Sequence, residues 1–463
     1  MYKAILLCWI GLMPLSIFSQ SDDDAFFIKE IHNQVLSYGE CYDWLHGLTK
    51  GIGHRLSGSE AYDQAVSYTS DIMSSFSLDR VYTQRCEVNY WIRGNTEVML
   101  SYGGAMDIPL QAISLGGSLG GNGNPITGEI IEVKTLQEVD DLGRENIEGK
   151  VVFYNRPMDP TQIRTFNAYG GAVDQRVYGA SKASEYGGVG ALIRSMTAGI
   201  DRVPHTGSSY YAEGITPVPG VGISTYDAEK LSTLLSDQKV EATIISDNRE
   251  GGLRASYNVI GELKGSEFPD QIILVGGHLD SWDVGEGAHD DGTGCVQSMQ
   301  VLKTLQDLGY QPKRTIRCVL FANEENGLAG AREYARLSDE AGEFHLAALE
   351  SDAGGFVPRG FAMDGHKDVL EAYAKCINDW LPLLEPYGLT VSTGGSGADI
   401  SPLKNQKGLL IGLRPDSQRY FDVHHTEADV FEAVHKRELE LGAAAMTSLI
   451  YLIDKYGLPG HEK

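Results

Sequence analysis

The segment that most restricts the fold runs from Gln271 to Asp280. Ile272, Ile273, Leu274 and Val275 are branched and apolar with no polar break, the pattern of a strand covered on both faces inside a parallel sheet. Sheets of that kind keep their chemistry at the carboxyl edge of the strands. The run ends on His278 and Asp280 and passes His289, Asp290 and Asp291. Val296, Met299, Leu302 and Leu305 then recur three apart, so a helix starts just beyond the acidic pair and stops near Gly309. Strand, polar loop and helix follow one another. The fold class this implies is α/β, with a mostly parallel central sheet flanked by helices.

The same unit recurs downstream. Thr315 to Phe321 is strand-like, and Glu324 and Glu325 sit where it stops. Two adjacent carboxylates there repel each other and lose hydration, and a metal is the economical way to hold them ionised. Leu346 to Glu350 leads to Asp352, and Leu409 to Leu413 lies shortly before His424 and His425. Taken singly, such pairs are ordinarily surface charge. Repeated at successive strand ends, they point to one polar site.

In order along the chain, His278 to Asp280, His289 to Asp291, Glu324 and Glu325, Glu350 to Asp352, Ser396 to Asp399, and His424 to Thr426 resemble the co-catalytic zinc exopeptidases of peptidase family M28. The resemblance implies the zinc exopeptidase fold with an inserted protease-associated (PA)-like domain. It implies two Zn2+ per chain, one held by His278, Asp290 and Asp352 and the other by Asp290, Glu325 and His425. Manganese and iron also suit this ligand type. Glu324 becomes the general base, and Asp280 is expected to hold the His278 imidazole. The Asp290–Asp291 peptide is expected to be cis, and the substrate a dipeptide or short peptide bound by a homodimer. Ser396 and Gly397 are expected to approach substrate; a phosphate loop is excluded because no lysine follows and Asp399 would repel phosphate. Trp282 is read equally as pocket lining or packing, and His205 as a lid residue or a turn residue. His289 is expected beside the site or solvated.

Charge narrows the partners. With 38 Lys and Arg against 63 Asp and Glu, the net charge is −25, which argues against nucleic-acid and anionic-membrane partners. Lys3, the apolar run Ala4 to Phe18 and the small or polar end at Ser19 and Gln20 read as a signal peptide over residues 1–20, hence a secreted or periplasmic protein with no membrane span. Cys41, Cys86, Cys295, Cys318 and Cys376 remain, an odd number without metal-ligand spacing, so no disulfide framework is indicated and only Cys41–Cys86 is a conceivable bridge. The glycine-rich stretch 116–125 marks a change of texture. Domains are therefore expected at 21–112 and 253–463 for the peptidase unit and 113–252 for the insert. Aminopeptidase or carboxypeptidase action on longer peptides, a single-zinc acyltransferase like the glutaminyl cyclases, and a binding module that has lost its ligands are the rival readings.

Overall fold

The computed structural model describes residues 22–461. The expected signal peptide lies outside them. A first sheet of eight strands runs in the order Arg80–Ile92, Arg249–Leu263, Arg314–Phe321, Phe268–His278, Phe344–Glu350, Leu409–Pro415, Pro358–Gly365 and Thr390–Thr393. From Arg314–Phe321 to Leu409–Pro415 the strands are parallel. These four central strands are the ones whose ends carry the residues singled out above.

The unbroken apolar run of Phe268–His278 follows from burial on both faces. Ile273 and Val275 pack into one core with Val296, Met299 and Leu302 of the helix Thr293–Asp307 and with the long helix Lys436–Tyr456. Leu274 points the other way, into a second core with Val319, Phe321 and Tyr334. Each fully buried aliphatic side chain contributes about 1.5–3 kcal/mol. The amino-terminal helix Asp22–Tyr38 closes the first core, and the helix Glu60–Ser75 begins at Ser59, whose side chain accepts from the Tyr62 amide.

A second sheet of eight strands occupies the middle of the chain, in the order Ala105–Pro109, Thr96–Tyr102, Glu241–Ser246, Ile126–Val133, Val151–Tyr154, Gly190–Arg194, Gly220–Ile223 and Ala112–Ser114. Apolar layers cover both of its faces. It begins at Thr96, ahead of the expected boundary at 113. The chain crosses between the sheets at residues 93–95 and 247–248, where the Gly94 amide donates to Asn248 Oδ1 at 2.9 Å and the Asn95 amide donates to Asp247. The glycine-rich stretch 116–125, expected at a domain boundary, lies between two strands of this second sheet, and Gly116 is small for a reason of its own. A Cβ there would lie 1.8 Å from the Trp282 ring, so this loop closes against the first unit.

Cys41, Cys86, Cys295 and Cys318 are buried thiols, and no disulfide joins the described residues. Burial pushes the Cys86 thiol up to about 12. No helix among the described residues is long and apolar enough to cross a membrane.

Candidate active site

The carboxyl ends of the four parallel strands converge on Asp290. Its Oδ1 lies 3.2 Å from His278 Nε2, which is itself 3.5 Å from Asp352 Oδ1. Its Oδ2 lies 3.2 Å from His425 Nε2, which is also 3.2 Å from Glu325 Oε2. One carboxylate thus faces two separate donor sets, one oxygen to each. His424 competes for the second set, with Nε2 3.6 Å from Asp290 Oδ2 and its ring stacked on His425 at 3.5 Å. The chain reaches this arrangement through a cis Asp290–Asp291 peptide.

Neighbouring groups fix the donors. The Asp291 carboxylate accepts from the amides of His278 at 3.1 Å and Gly294 at 2.9 Å, tying the strand end to the helix start. Asp429 accepts from the amides of His289 and Asp290 at 2.7 and 3.1 Å, a contact that no motif or spacing announces. Asp280 meets the His278 imidazole through its backbone rather than its carboxylate. His278 Nδ1 donates to the Asp280 backbone carbonyl at 2.9 Å, while the carboxylate stands 3.8 Å away and instead accepts from the Glu324 amide at 3.1 Å. The carboxylate is turned because the Glu324–Glu325 loop offers amides to a buried acid. His289 is not solvated: its ring stacks on Phe356 at 4.2 Å, Nδ1 accepts from the Gly355 amide and Nε2 faces the Ala433 carbonyl.

Trp282 is packed beside the site and is not part of the wall of the main cavity. Its amide donates to Glu325 Oε1 at 3.1 Å, and its ring is 2% exposed, edge-on to Trp91 and His425. Gly397 lies against Glu350, whose carboxyl carbon would stand 2.1 Å from an added Cβ. Neither it nor Ser396 belongs to the walls of the main cavity. That cavity, about 360 Å³, is bounded by Glu324, Glu325, Asp352 and His425 from the first unit and by Phe166, Tyr169, Arg176 and Tyr210 from the second.

The second unit docks on the site through residues near His205. The Thr206 amide donates to the His425 carbonyl at 3.0 Å, and the Ser208 hydroxyl donates to the Glu325 carbonyl. His205 itself is buried with both ring nitrogens unpartnered, and burial with the nearby His425 charge lowers its pKa to about 3. It does not line the cavity. Phe166 stacks on Tyr420 and Tyr169 on Phe421. Arg93 in the crossing segment pairs with Asp283 at 2.6 Å and donates to Thr206 Oγ1 at 3.2 Å. Arg93, Arg176 and the aromatics carry no sequence motif, which is why only the strand ends were legible.

Charge is concentrated here. Burial resists ionisation of Asp290, but His278 and His425 hold its carboxyl well below the usual range. Burial and the Asp290 charge push Glu325 up to about 7. Burial alone would lower His425, yet Glu325 and Asp290 raise it to about 9. The donor set fits divalent cations. Asp290 Oδ2 is buried and makes no hydrogen bond, and the donor atoms of His278, Asp290 and Asp352, like those of Asp290, His424 and His425, all lie within 4.8 Å of one another. Two ligand atoms each ~2.0–2.1 Å from one tetrahedral ion stand roughly 3.3 Å apart. The spacings of 3.2–3.5 Å about Asp290 match that value.

Residues 258–450, which carry every proposed ligand, match the model of peptidase family M28. Carboxypeptidase Q of Bos taurus is 30% identical over 478 residues, covering 97% of this chain and 98% of that protein; carboxypeptidase Q of Xenopus laevis is 34% identical, covering 89% and 85%. The crystal structure of a peptidase M28 precursor from Shewanella amazonensis SB2B superposes with a TM-score of 0.87 at 33% identity, covering 94% of this chain and 97% of that one. A zinc aminopeptidase from Bacillus subtilis shares the fold, with a TM-score of 0.62 at 20% identity over 89% and 94%. With relatives matched from end to end and the converging His and Asp donors inside the matched segment, this chain belongs to peptidase family M28 and is a metallopeptidase.

Proposed function

We propose that this chain is an exported exopeptidase that uses two zinc ions to hydrolyse dipeptides or short peptides. The observation that carries the reading is Asp290, each of whose oxygens faces a different histidine at 3.2 Å. His278, Asp290 and Asp352 would hold one ion, and Asp290, Glu325 and His425 the other. When bound, such ions acidify a water and polarise the scissile carbonyl.

The chain's own groups do the rest. Glu324 lines the cavity beside Asp352 and Glu325, and its amide is pinned by Asp280. It takes a proton from the attacking water and delivers it to the leaving amine, a shuttle typically worth ~100-fold to 10,000-fold. The contact from His278 Nδ1 to the Asp280 carbonyl fixes the tautomer that leaves Nε2 free as a ligand. The second unit, which we read as a PA-like insert, covers the cavity and excludes water. The family resemblance supports export through residues 1–20 and assembly as a homodimer.

The test is metal analysis of the purified chain together with hydrolysis of a dipeptide panel. About two ions per chain and turnover of short peptides are expected; an ion-loaded protein that cleaves no peptide bond would sink the reading.

A further inference from the structure

Two of the proposed ligands, His278 and Asp290, are joined by residues 279–287, a stretch with no helix or strand and with glycines at 285 and 287. Ligands at the ends of such a loop need holding, because metal donors must stay within roughly 0.5 Å of their working positions. Asp291 and Asp429 hold the amides of His278 and Asp290 themselves. The loop between them is held by Arg55, which is fully buried and stands outside the cavity wall. Its Nε donates to the Leu279 carbonyl at 2.6 Å, Nη1 to the Glu286 carbonyl at 2.8 Å and Nη2 to the Gly287 carbonyl at 2.8 Å. The Arg55 amide donates to Ser281 Oγ at 3.1 Å, and its carbonyl accepts from the Ser281 amide at 3.4 Å. One residue thus grips the start, the middle and the end of the loop.

We infer that Arg55 is a positioning residue for the metal centre, fixing the loop that sets the separation of His278 and Asp290. The inference rests on the two-metal reading for the identity of the ligands. The cost of the arrangement argues against simple packing. A buried guanidinium is expensive to desolvate, and among the described residues every acceptor that the Arg55 side chain meets is a carbonyl, not a carboxylate. Burial presses its pKa down, and the charges of Asp429, Asp280 and Asp291 act the other way. Those three acids hold the amides of Asp290, Glu324 and His278. One cation therefore serves both the loop and the anions that support the site. Carbonyls at both ends of the loop are spanned by a guanidinium fork, whose donors diverge, and not by the single point of an ammonium. The loop also makes room for the fork: a Cβ on Gly287, whose φ is +57°, would lie 2.9 Å from Nη1.

The experiment compares the wild type with Arg55→Lys, Arg55→Met and Val35→Ala, the last of which opens the amino-terminal core away from the loop. Two quantities are measured below the Tm of every variant: zinc affinity by competition with a chelator, and amide hydrogen exchange over residues 279–291 in the metal-free protein. Loss of a contact that orients metal ligands typically weakens metal binding by about 10-fold to 100-fold. A loss of that size is expected in Arg55→Met and a smaller one in Arg55→Lys, each with faster exchange over 279–291. Val35→Ala is expected to lower Tm while keeping wild-type zinc affinity and loop exchange, which separates positioning from stability. Wild-type zinc affinity or wild-type loop exchange in Arg55→Met overturns the inference. Where the arginine variants fail to fold, Ser281→Ala decides it, since that change removes only the contact in the middle of the loop; weakened zinc binding with faster loop exchange upholds the inference, and wild-type values overturn it. A wild type that holds fewer than two ions speaks against the two-metal reading instead, and loop exchange in the metal-free protein still decides the role of Arg55.

Discussion

Glu324 and Glu325 are neighbours in sequence with different surroundings. Glu325 faces His425 at 3.2 Å and accepts from the Trp282 amide at 3.1 Å, whereas Glu324 is held only at its backbone and lines the cavity. Glu324→Gln keeps the size of the side chain and removes the base. Turnover is expected to fall by at least ~100-fold with metal content unchanged, measured by steady-state hydrolysis and metal analysis of the same preparation. Near-normal hydrolysis would refute the assignment. Glu325→Gln is expected to weaken one ion, seen as a metal-to-protein ratio that drops on dialysis while the wild type holds its ions. At this scale the sequence showed the donor types and their order but not their directions. Asp280 reads as a partner of the histidine two residues before it; the fold uses its carbonyl for that and its carboxylate for the Glu324 amide. Arg176 was invisible because it comes to His425 from 249 residues away.

The central strands and the helices that cover them were readable because their burial is periodic or total. Ile272 to Val275 leave no face for water, and the structure buries all four. The second sheet was less readable. Its strands Thr96–Tyr102 and Ala105–Pro109 alternate buried and exposed residues or stay largely exposed, a weak signal. One tie between elements has a testable pH signature. Asp24, in the first turn of Asp22–Tyr38, accepts from Tyr451 at 2.7 Å and pairs with Lys455 of the last helix. Burial raises its pKa, but the hydrogen bonds from Lys455, Tyr456 and Tyr451 outweigh that and hold the carboxyl below its ordinary value. A carboxyl lowered on folding stabilises the folded state above its unfolded pKa, ~3.9, and that stabilisation is lost as pH falls through the folded value. Asp24→Asn is therefore expected to destabilise the chain by about 2 kcal/mol at pH 7 and by progressively less below about pH 4. Urea unfolding of both proteins across that range measures it, and a pH-independent difference would remove the charge from the explanation.

At the scale of the whole molecule, the two sheets meet over the site, and their contact is polar as well as aromatic. Thr206 reaches His425, Ser208 reaches Glu325, and Gly116 lies flat on Trp282. Gly116→Val must push the Trp282 ring or the loop aside. Overpacking of this kind typically costs about 1–3 kcal/mol. The substitution is expected to lower Tm by several degrees and reduce kcat/KM through the displaced Trp282 amide, and an unchanged Tm with wild-type activity would show that the two units do not rely on this contact. The most direct measurement is the number of ions per chain in the wild type and in Asp290→Asn, determined by elemental analysis after dialysis against metal-free buffer. A carboxylate shared by both donor sets predicts about two ions in the wild type and impaired retention at both positions in the variant. One ion or none in the wild type, or a full complement in Asp290→Asn, would contradict it.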